Sequence, residues 1–325
     1  MEINYNEIMA FTNIMVFPHK NPDGDALGSA VAVALAMKNL GKKAVIVIDD
    51  VINFELRYLL EYTEFISYED ALDRINSVDL AISVDCGDIK RLGRRIELIK
   101  GKPLWNIDHH FTNDNFGDYN SVDTKSASAC EIVYNILERY EIEITKDIAE
   151  ALYTGVSTDT GNFMYSNVTT RTFDIASSLL SKGIRRDMIV RELYQSKRKN
   201  KVKLFSKCLL EAEFMFENKL AYSVIDNDII NEIGCTFNDA EGLVEQLRDI
   251  ENVCVSLVFR EVFDENVNEL ITKVSMRSIG DIDVAIVAKE LGGGGHKAAS
   301  GVELKMPKNE AVKKVVNSIG EKYFK

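Results

Sequence analysis

Four short apolar runs, TNIMVFP (12–18), AVIVID (44–49), LAISVD (80–85) and PLWNID (103–108), restrict the fold more than any other feature of this chain. Each has the length of a strand and carries apolar residues at consecutive positions. A strand that is apolar at every position must be covered on both faces, as in a parallel sheet. Helical patterns over 25–39, 69–77 and 126–140 separate or follow the runs. The alternation predicts an α/β domain built on a parallel sheet with helices on both faces.

Three of the runs end in the same chemistry. His19, Asp23 and Asp25 (HKNPDGD) follow the first, Asp85 closes the third, and Asp108 closes the fourth ahead of His109 and His110. Open α/β sheets build their sites at the carboxyl ends of strands. PDGD by itself reads as a polar turn capping a helix. Yet the chain has four histidines in all, and each stands beside aspartates or, for His296 in GGGGHKAASG, behind a glycine run. Asp159, in YTGVSTDTGNF after a helical segment, joins the others only if the fold brings it there. Carboxylates a few ångströms apart repel, so they must either protonate or bind cations. Carboxylate and imidazole donors without thiolate favour Mn²⁺ or a similar first-row ion. Six such donors with one shared Asp suit two divalent ions.

A length of 325 residues accommodates two compact domains. The nine Lys or Arg between 182 and 203 mark the change of pattern. The expected division is a catalytic domain over 1–185, a basic linker over 186–207 and a substrate-binding domain over 208–325. The second domain reads as smaller and α+β: a strand at 219–225, a helix opened by Asn238 with Glu241 as its capping partner, a strand pair at 252–262 and 269–278, then a helix and a glycine-rich turn. There, Gly292, Gly293, Gly294 and Gly295 expose backbone N–H groups able to cradle an anion. Arg277, in SMRS, offers a guanidinium suited to bidentate phosphate binding.

Several classes are excluded. A net charge of −12 argues against long duplex nucleic acid but leaves room for a small anion drawn to a local cationic cleft. Five scattered cysteines form neither a disulfide framework nor a zinc knuckle. No signal segment is evident, and the apolar stretch at 26–37 is too short to span a bilayer, so a cytoplasmic protein without a membrane partner is expected. There is no Walker A sequence.

With these residues in view, the chain resembles the DHH phosphoesterase family over nearly its full length. HKNPDGDALGS, VDCGD, IDHH and TGVSTDTGNF match the four motifs of the catalytic domain in order. AEGLVEQL, SMRS, DIDVAIVAKE and GGGGHKAASG resemble the DHH-associated C-terminal domain. The resemblance implies an active site in the cleft between the two domains and two divalent ions, Mn²⁺ first, with Mg²⁺ or Co²⁺ as alternatives. By motif, His19 and Asp23 would bind one ion, Asp25, His109 and Asp159 the other, and Asp85 both. Asp108 would orient an imidazole, and His110 would meet the scissile phosphate or the leaving oxygen. Arg277, the glycines and His296 would hold the far end of the substrate. Ala129 departs from the family by lacking a hydroxyl common at that position, which touches local capping rather than the metal ligands.

Within the family the chain is most similar to small bacterial enzymes that degrade nanoRNA and convert 3'-phosphoadenosine 5'-phosphate (pAp) to AMP by in-line attack of hydroxide on phosphorus. The implied partners are short single-stranded RNA or small adenine nucleotides, with a homodimer left open. The competing readings are a phosphodiesterase for cyclic di-AMP or its linear product pApA, a single-strand exonuclease, and a nucleotide-binding protein that does not hydrolyse.

Overall fold

The computed structural model describes residues 3–264 and 269–324. The chain forms two compact units, Met1–Ser196 and Lys197–Lys325. In the first, strands β1 (Asn13–Pro18), β2 (Lys43–Val47), β3 (Phe65–Ile66), β4 (Leu80–Val84), β5 (Leu104–Asp108) and β6 (Tyr119–Val122) make one sheet in the order β3-β2-β1-β4-β5-β6. All its pairings are parallel. The chain therefore runs outward from β1 to β3 and returns on the other side of β1 with β4. The two halves of the sheet part between β1 and β4, the switch point at which α/β sheets open a crevice.

Both faces of the sheet are buried, as the unbroken apolar runs require. Ile14, Val16, Ile82, Val84, Trp105 and Ile107 pack on one side, and Met15, Phe17, Ala81 and Leu104 pack on the other. The first side is covered by helices α1 (Gly24–Asn39), α2 (Ala129–Arg139) and α3 (Lys146–Asp159). Each helix starts where a side chain accepts from the free N–H groups of its first turn: Asp23 for α1, Ser128 for α2 and Thr145 for α3. The pattern seen over 126–140 thus becomes a helix only from Ala129, because Ser128 is its cap. β3 has two residues and β6 (YNSV) is polar, so neither shows as an apolar run.

Two glycines let α1 and α3 approach closely. A Cβ on Gly28 would lie 2.5 Å from the Ala151 carbonyl oxygen, and one on Gly155 would lie 2.2 Å from Cys130 Sγ and 2.7 Å from Asp25 Oδ1. Among the described residues no helix is long and apolar enough to cross a membrane.

The second unit holds a mixed sheet of β7 (Glu213–Met215), β8 (Leu220–Ile225), β9 (Val255–Asp264), β10 (Glu269–Ser278), β11 (Gly294–His296) and β12 (Ala299–Leu304), ordered β11-β12-β10-β9-β8-β7. Only β8 and β9 run parallel. Residues 186–207 are folded at both ends, with helix Arg186–Val190 in the first unit and helix Lys199–Leu210 in the second.

The helix start expected at Asn238 with Glu241 is corrected. Thr236 and Asp239 form the reciprocal cap, with Asp239 Oδ2 accepting from Thr236 N–H at 2.9 Å and from its hydroxyl at 3.0 Å. They enclose a 3-10 turn, Phe237–Ala240, and the α-helix begins only at Leu243. Two candidate boxes overlap in TFNDAEG, and the Thr hydroxyl wins.

Because the α1–α3 contact leaves no space for a side chain, Gly28→Val should destabilise the first unit by about 1–3 kcal/mol. A lowered midpoint in calorimetric unfolding would show it; an unchanged midpoint would contradict the close-approach account.

Candidate metal centre

Asp85 lies at the centre of the site. β4 ends where Asp85 adopts φ +52°, a left-handed conformation that Asp tolerates better than most side chains. Its Oδ2 lies 3.4 Å from His19 Nε2, and its Oδ1 lies 3.4 Å from His109 Nε2. One carboxylate thus addresses an imidazole on each side.

His19 follows β1, and its Nδ1 contacts the Lys20 carbonyl oxygen at 2.8 Å, which assigns the proton to Nδ1 and leaves Nε2 for the site. Asp23 divides its two oxygens. Oδ1 accepts from the N–H groups of Asp25 and Ala26 as the cap of α1, and Oδ2 lies 3.6 Å from His19 Nε2. Asp25, wholly buried in the first turn of α1, accepts from Ala129 N–H at 2.6 Å and Cys130 N–H at 2.9 Å, at the start of α2. These are backbone donors, so the alanine at 129 costs the site nothing. Asp159, the last residue of α3, brings Oδ2 to 3.5 Å from His109 Nε2, and Asp25 Oδ2 lies 3.9 Å from the same nitrogen.

Three groups of possible ligands result: His19, Asp23 and Asp85; Asp25, His109 and Asp159; and Asp85, His109 and His110. Within each, one donor atom per residue lies within 4.8 Å of the others. His19 Nε2 and Asp85 Oδ1 are buried without a hydrogen-bond partner. Buried polar atoms are seldom left so, and these two, from the donor classes that hold hard and borderline divalent ions, fit a bound metal pair.

The second imidazole of the DHH sequence is held differently. His110 Nδ1 lies 2.6 Å from Oδ1 of the buried Asp108. Asn113 Nδ2 donates to the other Asp108 oxygen at 2.5 Å, and Asn106 Nδ2 donates to Ser83 Oγ and the Cys86 carbonyl oxygen. Gly87 permits the approach, since a Cβ there would lie 2.9 Å from His110 Cβ. Asn106, Asn113 and Gly87 were missed as site residues. A buried Asn inside the apolar run LWNID was the available signal.

Electrostatics follow the crowding. Burial and the Asp85 charge push the Asp25 carboxyl up to about 7. Burial, then Asp25, raise Asp159 well above the ordinary range. Burial opposes a charged His19, but Asp23 and Asp85 outweigh it and lift the imidazole to about 10. His109 is raised well above its ordinary value, with Asp85 prevailing over burial in the same way. Asp85 itself is held far below the usual carboxylate range by His109 and His19, despite its burial.

In the second unit, Arg277 and His296 both lie opposite Ala299 in the sheet, one on each side of it. Residues directly opposite one another project to the same face, so the two side chains flank Ala299 with about 10 Å between their Cα atoms. Gly294 lies opposite Gly301, which lies opposite Ser275, leaving a floor of small residues. The glycine run is thus an exposed edge strand from Gly294 onward rather than wholly a loop. Gly295 has φ +138°, and a Cβ on Gly293 would lie 2.2 Å from the Gly301 carbonyl oxygen. Arg277 Nε donates to Glu245 Oε1 at 2.8 Å, a partner the sequence did not announce.

Divalent ions must displace the protons held by this cluster, so their binding strengthens with pH. Asp25 and His19 bind protons more tightly folded than unfolded. The metal-free protein therefore loses stability from these groups as pH rises from 3.8 to about 7 for Asp25 and from 6.5 to about 10 for His19. Thermal midpoints with Mn²⁺ and with chelator should draw apart between about pH 6 and 9. A constant gap would contradict this proton balance.

Comparison with known proteins gives the family of the chain. Residues 13–156 match the DHH family N-terminal domain and residues 217–322 the DHHA1 domain. The chain is 31% identical to the bifunctional oligoribonuclease and PAP phosphatase NrnA of Thermus thermophilus, over 95% of this chain and 89% of that one. It is 27% identical to the NrnA of Bacillus subtilis, over 91% of each. The crystal structure of an exopolyphosphatase-related protein from Bacteroides fragilis superposes with a TM-score of 0.89 at 27% identity, covering 98% of this chain and 95% of that one. The two domain matches and the 31% identity to a relative over nearly the whole chain make this chain a member of the DHH family of phosphoesterases.

Proposed function

We propose that this phosphoesterase is a Mn²⁺-dependent enzyme that hydrolyses short oligoribonucleotides to mononucleotides and pAp to AMP. The observation that carries the reading is Asp85, whose two oxygens each lie 3.4 Å from a different imidazole at the meeting point of two ligand triads. His19, Asp23 and Asp85 would hold one ion, and Asp25, Asp85, His109 and Asp159 the other. When bound, such a pair lowers the pKa of water and neutralises charge developing on phosphorus.

The remaining residues position and exclude. The helix-start N–H groups of Ala129 and Cys130 fix the Asp25 carboxylate, and the Lys20 carbonyl fixes the His19 ring. With Nδ1 tied to Asp108, His110 would turn its Nε2 edge to the scissile phosphate or the departing ribose oxygen. Arg277 and His296, with Gly293, Gly294 and Gly295, would bind the far end of the substrate; the floor of small residues between Arg277 and His296 supports that role. The relatives' names, oligoribonuclease and PAP phosphatase, support the substrate class. The five free cysteines suit a reducing cytoplasm.

Turnover of pAp, a two-residue RNA and cyclic di-AMP, each with Mn²⁺, Mg²⁺ and chelator, tests the reading. The expected result is Mn²⁺-dependent hydrolysis of the first two, abolished by chelator; a strong preference for the cyclic compound would assign the site to that substrate instead. Asp85→Asn should cost about a thousandfold or more in kcat, the equivalent of about 4 kcal/mol. Near-normal turnover by this variant in Mn²⁺ would remove Asp85 from its central role.

A further inference from the structure

We propose that Arg91 is a substrate-phosphate ligand, binding a non-bridging oxygen from its place beside His110; this deepens the phosphoesterase reading and rests on it. Arg91 lies in the 3-10 segment Ile89–Arg95, after the VDCGD turn. That segment is pinned on both sides. Lys20 N–H donates to the Arg91 carbonyl oxygen at 2.7 Å, tying it to the residue after His19. Arg94 pairs with Asp49 at 3.0 Å and Glu69 at 2.8 Å. The buried Arg95 donates to the Val47 carbonyl oxygen at 2.9 Å and pairs with Asp50 at 3.4 Å. Four cations, Lys90, Arg91, Arg94 and Arg95, thus share one short segment, and the last two face carboxylates.

Arg91 does not. The Arg91 Nη1 contact is with His110 Nε2 at 3.4 Å, the imidazole edge opposite the one tied to Asp108. Arg91 is exposed, and its guanidinium carries donors only. Arg91 Nη1 donates to His110 Nε2, which orients the guanidinium and leaves its other N–H groups for an oxygen placed beside the imidazole. A phosphate oxygen is the acceptor a guanidinium recognises, and it is bound with better geometry than by an ammonium. The placement also answers a charge problem. A phosphodiester brought to a cluster of four aspartates needs positive charge beyond the metal ions, and Arg91 is held beside His110 without a carboxylate competing for it among the described contacts.

The test uses the full chain and three proteins: wild type, Arg91→Ala and Arg91→Lys. Hydrolysis of a two-residue RNA in Mn²⁺ should fall about a hundredfold in kcat/KM for Arg91→Ala, with partial recovery in Arg91→Lys. Mn²⁺ affinity by calorimetry and the thermal midpoint should match wild type, which a merely structural role would not allow. AMP binding to the metal-loaded protein should weaken about tenfold in Arg91→Ala. Equal kcat/KM in wild type and Arg91→Ala, or a loss accompanied by a matching fall in Mn²⁺ affinity and midpoint, overturns the assignment. AMP binding separates the two levels: a wild type inert towards every phosphoester refutes the phosphoesterase reading, whereas AMP binding that is absent in wild type or equal in wild type and Arg91→Ala refutes the role of Arg91.

Discussion

Mutual repulsion among crowded carboxylates is the constraint around which this molecule is organised. Asp23, Asp25, Asp85 and Asp159 converge on two imidazoles, and Asp25 and Asp85 are buried where water can stabilise little of their charge. Protons relieve part of the strain: Asp25 and Asp159 hold theirs far above the ordinary range, and His19 and His109 stay cationic beside Asp85. Two buried atoms, His19 Nε2 and Asp85 Oδ1, nevertheless lack hydrogen-bond partners. Divalent cations satisfy both the charge and the orphaned atoms at once, which makes the cluster a metal centre and not a set of misplaced acids.

The fold supplies the rigidity that holding these groups together demands. β1 and β4 are neighbours, so the turn carrying His19 and the turn carrying Asp85 open side by side. The starts of α1 and α2 meet at Asp25, whose carboxylate takes two backbone donors from α2. α3 reaches the same point because Gly28 and Gly155 let it lie close against α1. Helix ends thereby serve twice, as caps for the backbone and as mounts for ligand oxygens. Asp23 shows this within one side chain, one oxygen on the α1 N–H groups and the other towards His19.

Charge distribution reconciles an acidic protein with an anionic substrate. The net charge of −12 disfavours long polyanions, while local cations remain at the places a short fragment would touch. One is Arg91, beside His110 in the first unit. Another is Arg277 in the second unit, across Ala299 from His296 on a sheet floored with glycine and alanine. Glu245 holds Arg277 in place through a single oxygen at 2.8 Å, leaving its guanidinium oriented.

The sequence alone determined which residue types carry the chemistry and where along each element they fall. Unbroken apolar runs require a covered parallel sheet, and residues that follow such strands belong at their carboxyl ends; that much of His19, Asp85 and Asp108 was legible. The second unit was legible in its longer strands, but the overlapping caps at Thr236 and Asn238 could not be separated, since both satisfy the same local pattern and a single hydroxyl decided between them. Tertiary structure alone decided the order of the strands, the meeting of Asp159 with His109 and the pairing of Asp108 with His110 rather than His109. It also set Arg91 beside His110. These depend on contacts between residues far apart in the chain, and local periodicity carries no information about which distant segments become neighbours once the core is packed.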